Sequence, residues 1–354
     1  MKKRLAVLLL TAYMLTACGS SSQITTGNEP IANAVYTNED VSLAPYTGLK
    51  AKKNNYIVTE KAVEERIREE LMEFADYNIV KRASKSGDYV QTNYKASIDG
   101  SVVQQEEQYD FVLGDEDLGK EFDEKLTGVS AGDELHFSLD YDSDFMDVEW
   151  AGKTVDFEVS ILSIQEEIIP EPTDAFLSEN TSYDSYQALS DAMREDLTDR
   201  YAAESTEELQ EDLIQQVIDA SSILQYSKED YERAKEAVNN AYLGYLELFG
   251  MDDLNDVYEF LDMTEEDVEE EIQSSLYRTL IIHAIIENEH LSLSDEEYEE
   301  GVQYYMEQTE AESRDAFMQT FGEEQVRSQL LEDKALNFLV NNADITEVEA
   351  EHEE

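Results

Sequence analysis

The sequence has 354 residues, 41% of them apolar and 31% charged, and 83 acidic side chains against 25 Lys and Arg give a formal net charge of −58. A chain this acidic repels the phosphate groups of DNA, RNA and anionic lipids, which excludes a nucleic-acid-binding role and favours neutral or basic partners. The length allows two domains with connectors, and 12 Phe, 1 Trp and 21 Tyr supply apolar surface for their cores. Only four Pro and 14 Gly favour long helices over a loop-rich chain.

The first residues have the pattern of an export signal. Three cations, Lys2-Lys3-Arg4, precede an apolar run over residues 5–15, and the run ends in Leu15-Thr16-Ala17-Cys18. The pattern resembles a bacterial lipoprotein signal, which implies that residues 1–17 are a signal peptide and that Cys18, the only cysteine, carries a lipid. An ordinary secretory signal with a chance cysteine is the alternative. The apolar run is shorter than the ~20 residues that a membrane-spanning helix needs.

A connecting region follows the predicted anchor. Residues 18–43 are predicted to be a flexible linker, because they begin with small polar residues that show no periodicity. Residues 44–86 are predicted to hold an extended segment and then a helix that begins after Thr59. The apolar stripe of this helix consists of Val63, Ile67, Leu71 and Phe74.

Residues 87–167 are predicted to form a small antiparallel β domain with one short helix. Alternating apolar and polar residues recur over 89–94, 135–139 and 155–164, and Asp99-Gly100 has the composition of a tight hairpin turn. The short helix is expected over residues 120–125.

Residues 168–346 are predicted to be an elongated all-α domain, helical throughout from Thr173 to Ile345. A stripe from Leu189 to Val217 predicts one helix of about forty residues that projects as an arm. Further helices are expected after Ser227, Thr264 and Ser294, each followed three residues later by an acidic side chain. The acidic tail, residues 347–354, is expected to fray. The predicted fold class is therefore α+β with several domains.

Several sequence blocks carry a resemblance to a known family. The blocks GDYVQTNYKASIDG (87–100), DFVLG (110–114) and GVSAGDE (128–134) resemble those of FKBP-type peptidyl-prolyl isomerase domains in order and spacing. The blocks VDFEV (155–159) and EIIPE (167–171), followed by a long helical region, resemble bacterial trigger factor, and the similarity covers about residues 44–346. The signal peptide and linker stand where that family has its ribosome-docking domain. The resemblance implies an exported, lipid-anchored relative that does not bind ribosomes.

The resemblance also implies an isomerase site. Rotation about an Xaa-Pro amide requires no nucleophile, metal or cofactor; it requires an apolar cup that favours the twisted amide and hydrogen bonds that hold the flanking backbone. Phe122 corresponds to the floor of the cup, and the backbone N–H of Gly119 to the donor for a substrate carbonyl. The implied site residues are Tyr94, Val103, Gln104, Tyr109, Phe111, Leu118, Gly119, Phe122, Phe145 and Phe157.

Four of these positions depart from the family pattern. Gln104 replaces an acidic residue, Val103 and Phe145 replace positions that are often Phe and Tyr, and Gly119 replaces a branched aliphatic residue. Each departure removes a polar or packing contact, so the catalytic rate is expected to be affected more than the fold. The simpler interpretation of the aromatic residues is that they form only the core of a small β domain.

Three functional hypotheses follow. The first is a lipid-anchored factor outside the cytoplasm that binds unfolded secreted polypeptides and catalyses prolyl isomerisation in them. The second is a chaperone whose FKBP-like domain only grips clients. The third is a foldase of the parvulin type, which the match of residues 87–166 to FKBP blocks disfavours. A nutrient-binding lipoprotein is disfavoured because the doubly wound α/β pattern is absent. The four His residues have no metal-ligand spacing and the acidic runs lie in predicted helices, so no metal is expected.

Overall fold

The computed structural model describes residues 23–142, 145, 149–249, 251, 253–261 and 263–352. The predicted signal peptide and Cys18 lie outside the described residues. The polypeptide divides into two compact units, one made of the residues up to Ile57 together with those from Arg200 onward, and the other of Val58–Asp199. Within the described part of the chain, no helix is long and apolar enough to cross a membrane.

The strands and helices are, in chain order, β1 (Gln23–Thr25), β2 (Tyr36–Thr37), β3 (Val41–Leu43), β4 (Lys50–Tyr56), α1 (Glu60–Met72), β5 (Asp76–Ile79), β6 (Asp88–Ile98), β7 (Ser101–Val112), α2 (Lys120–Leu126), β8 (Glu134–Asp140), β9 (Thr154–Ile168), α3 (Asp174–Asn180), α4 (Tyr186–Ala220), β10 (Ser222–Ile223), β11 (Gln225–Ser227), α5 (Lys228–Phe249), α6 (Leu254–Phe260), α7 (Glu265–Glu289), α8 (Asp295–Gln308), α9 (Arg314–Phe321), α10 (Glu323–Asn341) and β12 (Asp344–Ala350).

A five-stranded antiparallel sheet forms the centre of the unit Val58–Asp199. Its strand order is β5-β9-β6-β7, and β8 also pairs with β9. Every second residue of β6 from Asp88 to Ala96 is buried, as the alternation predicts. The tight turn predicted at Asp99 and Gly100 is confirmed, since both residues have positive φ values, 51° and 79°, as a type I′ hairpin requires. The predicted short helix is also confirmed, as α2.

The predicted connector, residues 44–86, is divided between the two units: its extended segment is β4 of the other unit, and residues 58–86 belong to this one. Thr59 caps α1 as predicted, because its Oγ1 accepts a hydrogen bond from the Ala62 N–H at 3.1 Å. Strand β5, in contrast, was not expected: it pairs with β9 from Asp76↔Ile168 to Ile79↔Gln165 and so extends the isomerase-like sheet. Its four residues are exposed and do not alternate in burial, which explains why no strand pattern was evident.

The long helix predicted from the stripe beginning at Leu189 is present as α4, with 35 residues. Its apolar side is covered along its length, because Leu189, Leu197, Leu213 and Val217 are each at most 1% exposed. The boundary between the two units falls inside this helix, between Asp199 and Arg200.

Helices dominate the other unit, and their predicted starts are confirmed. Thr264 and Ser294 form reciprocal capping boxes with Asp267 and Glu297. Ser227 likewise exchanges hydrogen bonds with the residue three positions on. The prediction that this region is helical throughout is wrong at β10 and β11, two short strands that pair with β3 and β1.

The predicted flexible linker is also wrong for part of its length. Residues 23–43 contain β1, β2 and β3, and Val41, Ser42 and Leu43 are at most 1% exposed. Val41 and Leu43 belong to the main apolar core of this unit. Strands of two or three residues are too short to produce a recognisable alternation in sequence, and the small polar residues around them are typical of a linker.

The acidic tail does not fray over Glu347–Ala350. It belongs to β12, which runs parallel to β4 with Asp344 opposite Lys50 and Glu347 opposite Lys53. Beyond the strand, the His352 ring stacks on Tyr201 with a centroid separation of 4.1 Å. The tail was expected to fray, and the strand that it pairs with lies about three hundred residues away in sequence.

Candidate active site

Four aromatic side chains meet on one face of the sheet. Tyr94, Phe111 and Phe157 project from β6, β7 and β9, and α2 places Phe122 against them; all four are at most 3% exposed. The ring centroid of Phe122 lies 5.1 Å from that of Phe157, 5.9 Å from that of Phe111 and 6.4 Å from that of Tyr94. These separations and edge-on orientations are typical of favourable aromatic packing. Phe122 is therefore the centre of an apolar floor.

A partly exposed rim surrounds this floor. Tyr109 and Phe137 are half-buried and pack edge-on or stacked against floor residues, with centroid separations of 5.3 Å between Tyr109 and Tyr94 and 5.4 Å between Phe137 and Phe157. Phe145, also half-buried, lies 4.2 Å from Tyr141 by ring centroid. We call this cluster the cup: the four buried rings are its floor, and the half-buried rings of Tyr109, Phe137 and Phe145 are its rim.

The surroundings of Tyr109 favour its neutral phenol. Burial, and to a smaller extent the negative charges of Asp117 and Glu106, raises the pKa of Tyr109 above its ordinary value. An ordinary tyrosine is already protonated at neutral pH, so this rise extends the alkaline range over which the Tyr109 hydroxyl can donate a hydrogen bond. Among the described residues there is no group of three or more His, Cys, Asp or Glu side chains arranged to hold a metal ion.

Three aromatic side chains in or beside the cup were missed by the sequence analysis. Phe137 lies opposite Phe157 in the β8–β9 pairing, and Tyr141 and Trp150 are both buried. The centroid of Trp150 is 5.4 Å from that of Phe157. The alternation over 135–139 contained a signal for Phe137, whose neighbours Leu135 and Leu139 share its face. Trp150 lies outside the alternating segments, so its position had no comparable signal.

Asp123 fixes the loop that leads into α2. Its Oδ2 accepts hydrogen bonds from the backbone N–H groups of Gly114, at 2.7 Å, and Glu116, at 3.1 Å. Burial raises the pKa of this carboxyl, and the two backbone hydrogen bonds oppose that rise. Farther along the loop, the Tyr141 hydroxyl donates to the Leu118 carbonyl at 2.8 Å. The loop is thus held at both ends by buried side chains.

The Gly119 N–H, which is predicted to hold a substrate carbonyl, has a partner within the loop. It donates to the Glu116 carbonyl at 2.7 Å, so a substrate carbonyl would have to replace this acceptor. Glu116 has a φ of 59°, which forms a tight turn that directs its carbonyl back toward Gly119. Sequence alone gives no indication of this turn, because Glu rarely adopts the left-handed region.

Two predicted residues lie at the margin of the ring cluster. Val103 is at a bulge between β6 and β7, packs against the apolar core and lines an open cleft with Ile98 and Thr154. Gln104 is half-buried opposite Ala96 in the same pairing. The structure therefore buries Tyr94, Phe111, Leu118, Phe122 and Phe157 in one apolar core and packs Val103, Tyr109 and Phe145 against it.

Comparison with known proteins identifies both parts of the chain. Residues 80–162 match the family model described as FKBP-type peptidyl-prolyl cis-trans isomerase, and residues 185–341 match that of the bacterial trigger factor C-terminus. The trigger factor of Caldicellulosiruptor saccharolyticus is 25% identical over 333 residues, which cover 90% of this chain and 74% of that protein. The trigger factor of Finegoldia magna is 26% identical over 329 residues, covering 89% and 74%.

A solved structure of the trigger factor chaperone, from work on promiscuous substrate recognition in folding and assembly, aligns with 90% of this chain and 78% of that chain at 18% identity, with a TM-score of 0.43.

The aromatic cup and the family matches together define the class of protein. The chain contains an FKBP-type peptidyl-prolyl cis-trans isomerase domain and is an enzyme of that class. Because residues 185–341 also match the trigger factor C-terminus, the chain is trigger factor-like.

We expect Asp123→Ala to loosen the loop before α2. The substitution removes the acceptor for two backbone N–H groups, and the cost is roughly 2–3 kcal/mol of unfolding free energy. Denaturant unfolding followed by the fluorescence of Trp150, the single tryptophan, measures this loss. Asp123→Asn keeps one acceptor oxygen and is expected to lose less. Equal stability of Asp123→Ala and the unsubstituted protein would contradict this role.

Proposed function

We propose that the protein is a lipid-anchored folding factor outside the cytoplasm, which binds unfolded secreted polypeptides and isomerises their Xaa-Pro bonds. The observation that carries the isomerase part is the cup, in which Phe122 forms a buried floor and Tyr109 and Phe137 form an accessible rim. Helical regions outside the cup would hold the rest of the client.

The cup suits amide rotation for a physical reason. A planar amide is polar because its C–N bond has partial double-bond character, and the twisted transition state loses that polarity. An apolar, water-poor site stabilises the less polar twisted form relative to the planar one. Aromatic side chains around a prolyl ring supply such a site without a nucleophile or a metal.

Tyr109→Leu tests the isomerase proposal better than substitution of the floor. Phe122 and Phe157 are at most 1% exposed, so truncating either to Ala is expected to cost about 3–5 kcal/mol and to confound activity with unfolding. Tyr109 is half-buried at the rim, and its ring contacts with Tyr94 and Phe111 contribute roughly 1 kcal/mol. We expect Tyr109→Leu to lower kcat/KM about fivefold in a protease-coupled assay with an Xaa-Pro tetrapeptide.

The matched control is Tyr77→Leu. Tyr77 is 45% exposed on β5, and its hydroxyl donates to Tyr89 and Glu167. This variant is expected to keep the activity of the unsubstituted protein. If Tyr109→Leu and Tyr77→Leu were equally active, or if the unsubstituted protein did not exceed the uncatalysed rate, catalysis at the cup would be contradicted.

A specific observation favours a second candidate, a holdase whose cup only grips clients. The Gly119 N–H is already hydrogen-bonded within the loop, and Phe145 has no hydroxyl to offer a substrate. Both features reduce the polar contacts available to the amide. Suppression of client aggregation without isomerisation, weakened by Tyr109→Leu, would support this candidate.

The proposed location is supported by the sequence and its charge. The Leu15-Thr16-Ala17-Cys18 pattern after an apolar run is typical of lipoprotein signals. A net charge of −58 opposes association with ribosomal RNA, so we propose that clients are bound away from ribosomes. The same charge would keep the body of the protein away from an anionic membrane surface.

Replacement of Cys18 tests the anchor. A Cys18→Ser variant lacks the thiol to which a diacylglycerol would be attached, so we expect it to move from the membrane fraction to the soluble fraction of fractionated cells. The unsubstituted protein should stay with the membrane after a high-salt wash, because lipid insertion does not depend on salt. Recovery of unsubstituted and variant protein in the same fraction would contradict lipid anchoring.

A further inference from the structure

Three aromatic side chains form a wall on one side of the cup. The ring centroid of Tyr141 lies 4.2 Å from that of Phe145 and 5.3 Å from that of Trp150. The rings of Phe145 and Trp150 are nearly parallel, with an interplanar angle of 5° and a centroid separation of 6.2 Å. Tyr141 and Trp150 are buried, whereas Phe145 is half-buried and accessible from the rim.

The buried members join the wall to the floor and to the loop before α2. Trp150 packs edge-on against Phe157 at 5.4 Å, and Tyr141 lies 6.4 Å from the same ring. The Tyr141 hydroxyl also holds the Leu118 carbonyl. Movement of Tyr141 would therefore affect both the floor and the backbone beside Gly119, and movement of Trp150 would reach that backbone through its contact with Tyr141.

The wall occupies the space that a side chain at position 119 would need. A Cβ on Gly119 would lie 3.3 Å from Cε1 of Tyr141 and 3.4 Å from Cε2 of Phe145. Its φ of 91° adds backbone strain to any substitution. The bare glycine and the two rings are therefore complementary, and the apolar surface at this side of the cup comes from Phe145.

We propose that Tyr141 and Trp150 are positioning residues of the isomerase site, which hold Phe145 over Gly119 so that its ring contacts the substrate backbone and side chain beside the proline. The proposal rests on the isomerase role of the cup. A preformed wall contact of this kind is made in the ground state and in the transition state alike, so it contributes to substrate binding and leaves the rate of the bound complex unchanged.

Trp150→Leu and Trp150→Phe test the role of the tryptophan. Leu removes the parallel stack under Phe145, and we expect the Kd of a fluorescein-labelled Ala-Leu-Pro-Phe peptide to rise roughly fivefold, because an aromatic pair contributes about 1 kcal/mol. The kcat/KM should fall by the same factor, because kcat, the rate of the bound complex, is expected to stay the same. Trp150→Phe, which keeps an aromatic ring, should recover most of the affinity.

Tyr141→Phe provides a second test that leaves the packing intact. It removes the hydroxyl that donates to the Leu118 carbonyl and keeps the ring, and we expect a two- to fivefold rise in Kd. Tyr77→Phe, which also loses a tyrosine hydroxyl in the same unit, is the matched control and should bind as the unsubstituted protein does. Trp150 reports binding directly in Tyr141→Phe and Phe145→Leu, because it is the only tryptophan. Peptide should shift its emission in the unsubstituted protein and less in Phe145→Leu.

The outcomes separate positioning from a purely structural role. A structural role predicts a smaller folded fraction, so kcat/KM and the amplitude of the titration would fall while Kd stayed constant. That result, or Kd values within twofold of the unsubstituted protein for both Trp150→Leu and Tyr141→Phe, would overturn the proposal. If the unsubstituted protein bound no proline peptide, the isomerase role of the cup would fail together with it. Binding without variant effects would overturn the positioning role alone.

Discussion

Burial of the Phe122 ring against the sheet is the constraint on which the isomerase domain depends. The ring is 0% exposed, and it can be covered only if β6, β7 and β9 turn aromatic residues toward the same face. The two-residue period of each strand and the register that pairs them deliver Tyr94, Phe111 and Phe157 to that face. The same packing that stabilises the domain therefore also builds the apolar site, so stability and function cannot be separated at the floor.

The loop before α2 is held by polar contacts, whereas the accessible rings are held by aromatic packing. Asp123 and Tyr141 bind the backbone of the loop at its two ends. Tyr109 and Phe145 pack on neighbouring rings and present ring surface at the edge. This division gives a rigid base and a rim that a client can reach. Substitutions at the rim can therefore change activity without unfolding the domain, whereas substitutions at the floor would change both.

The sequence predicted the elements whose signals are local. The hairpin at Asp99 and Gly100, the caps at Thr59 and Thr264, and the helix carrying Phe122 all follow from a few neighbouring residues, and all are present. What it missed depends on contacts between distant segments. Strand β12 exists because β4 offers a complementary edge, and the N–H of Gly119 is engaged because Glu116 adopts a left-handed conformation. Neither condition can be predicted from the residues of the segment itself.

Catalysis at the aromatic cup is tested most directly by locating a bound proline in the whole protein. Intermolecular nuclear Overhauser effects from an isotope-labelled Xaa-Pro peptide identify the protons that lie within about 5 Å of the prolyl ring. We expect contacts with the rings of Tyr109, Phe137 and Phe145, together with exchange between the cis and trans peptide signals that is faster than in free solution. Contacts confined to residues from Arg200 onward, with unchanged exchange, would contradict catalysis at the cup.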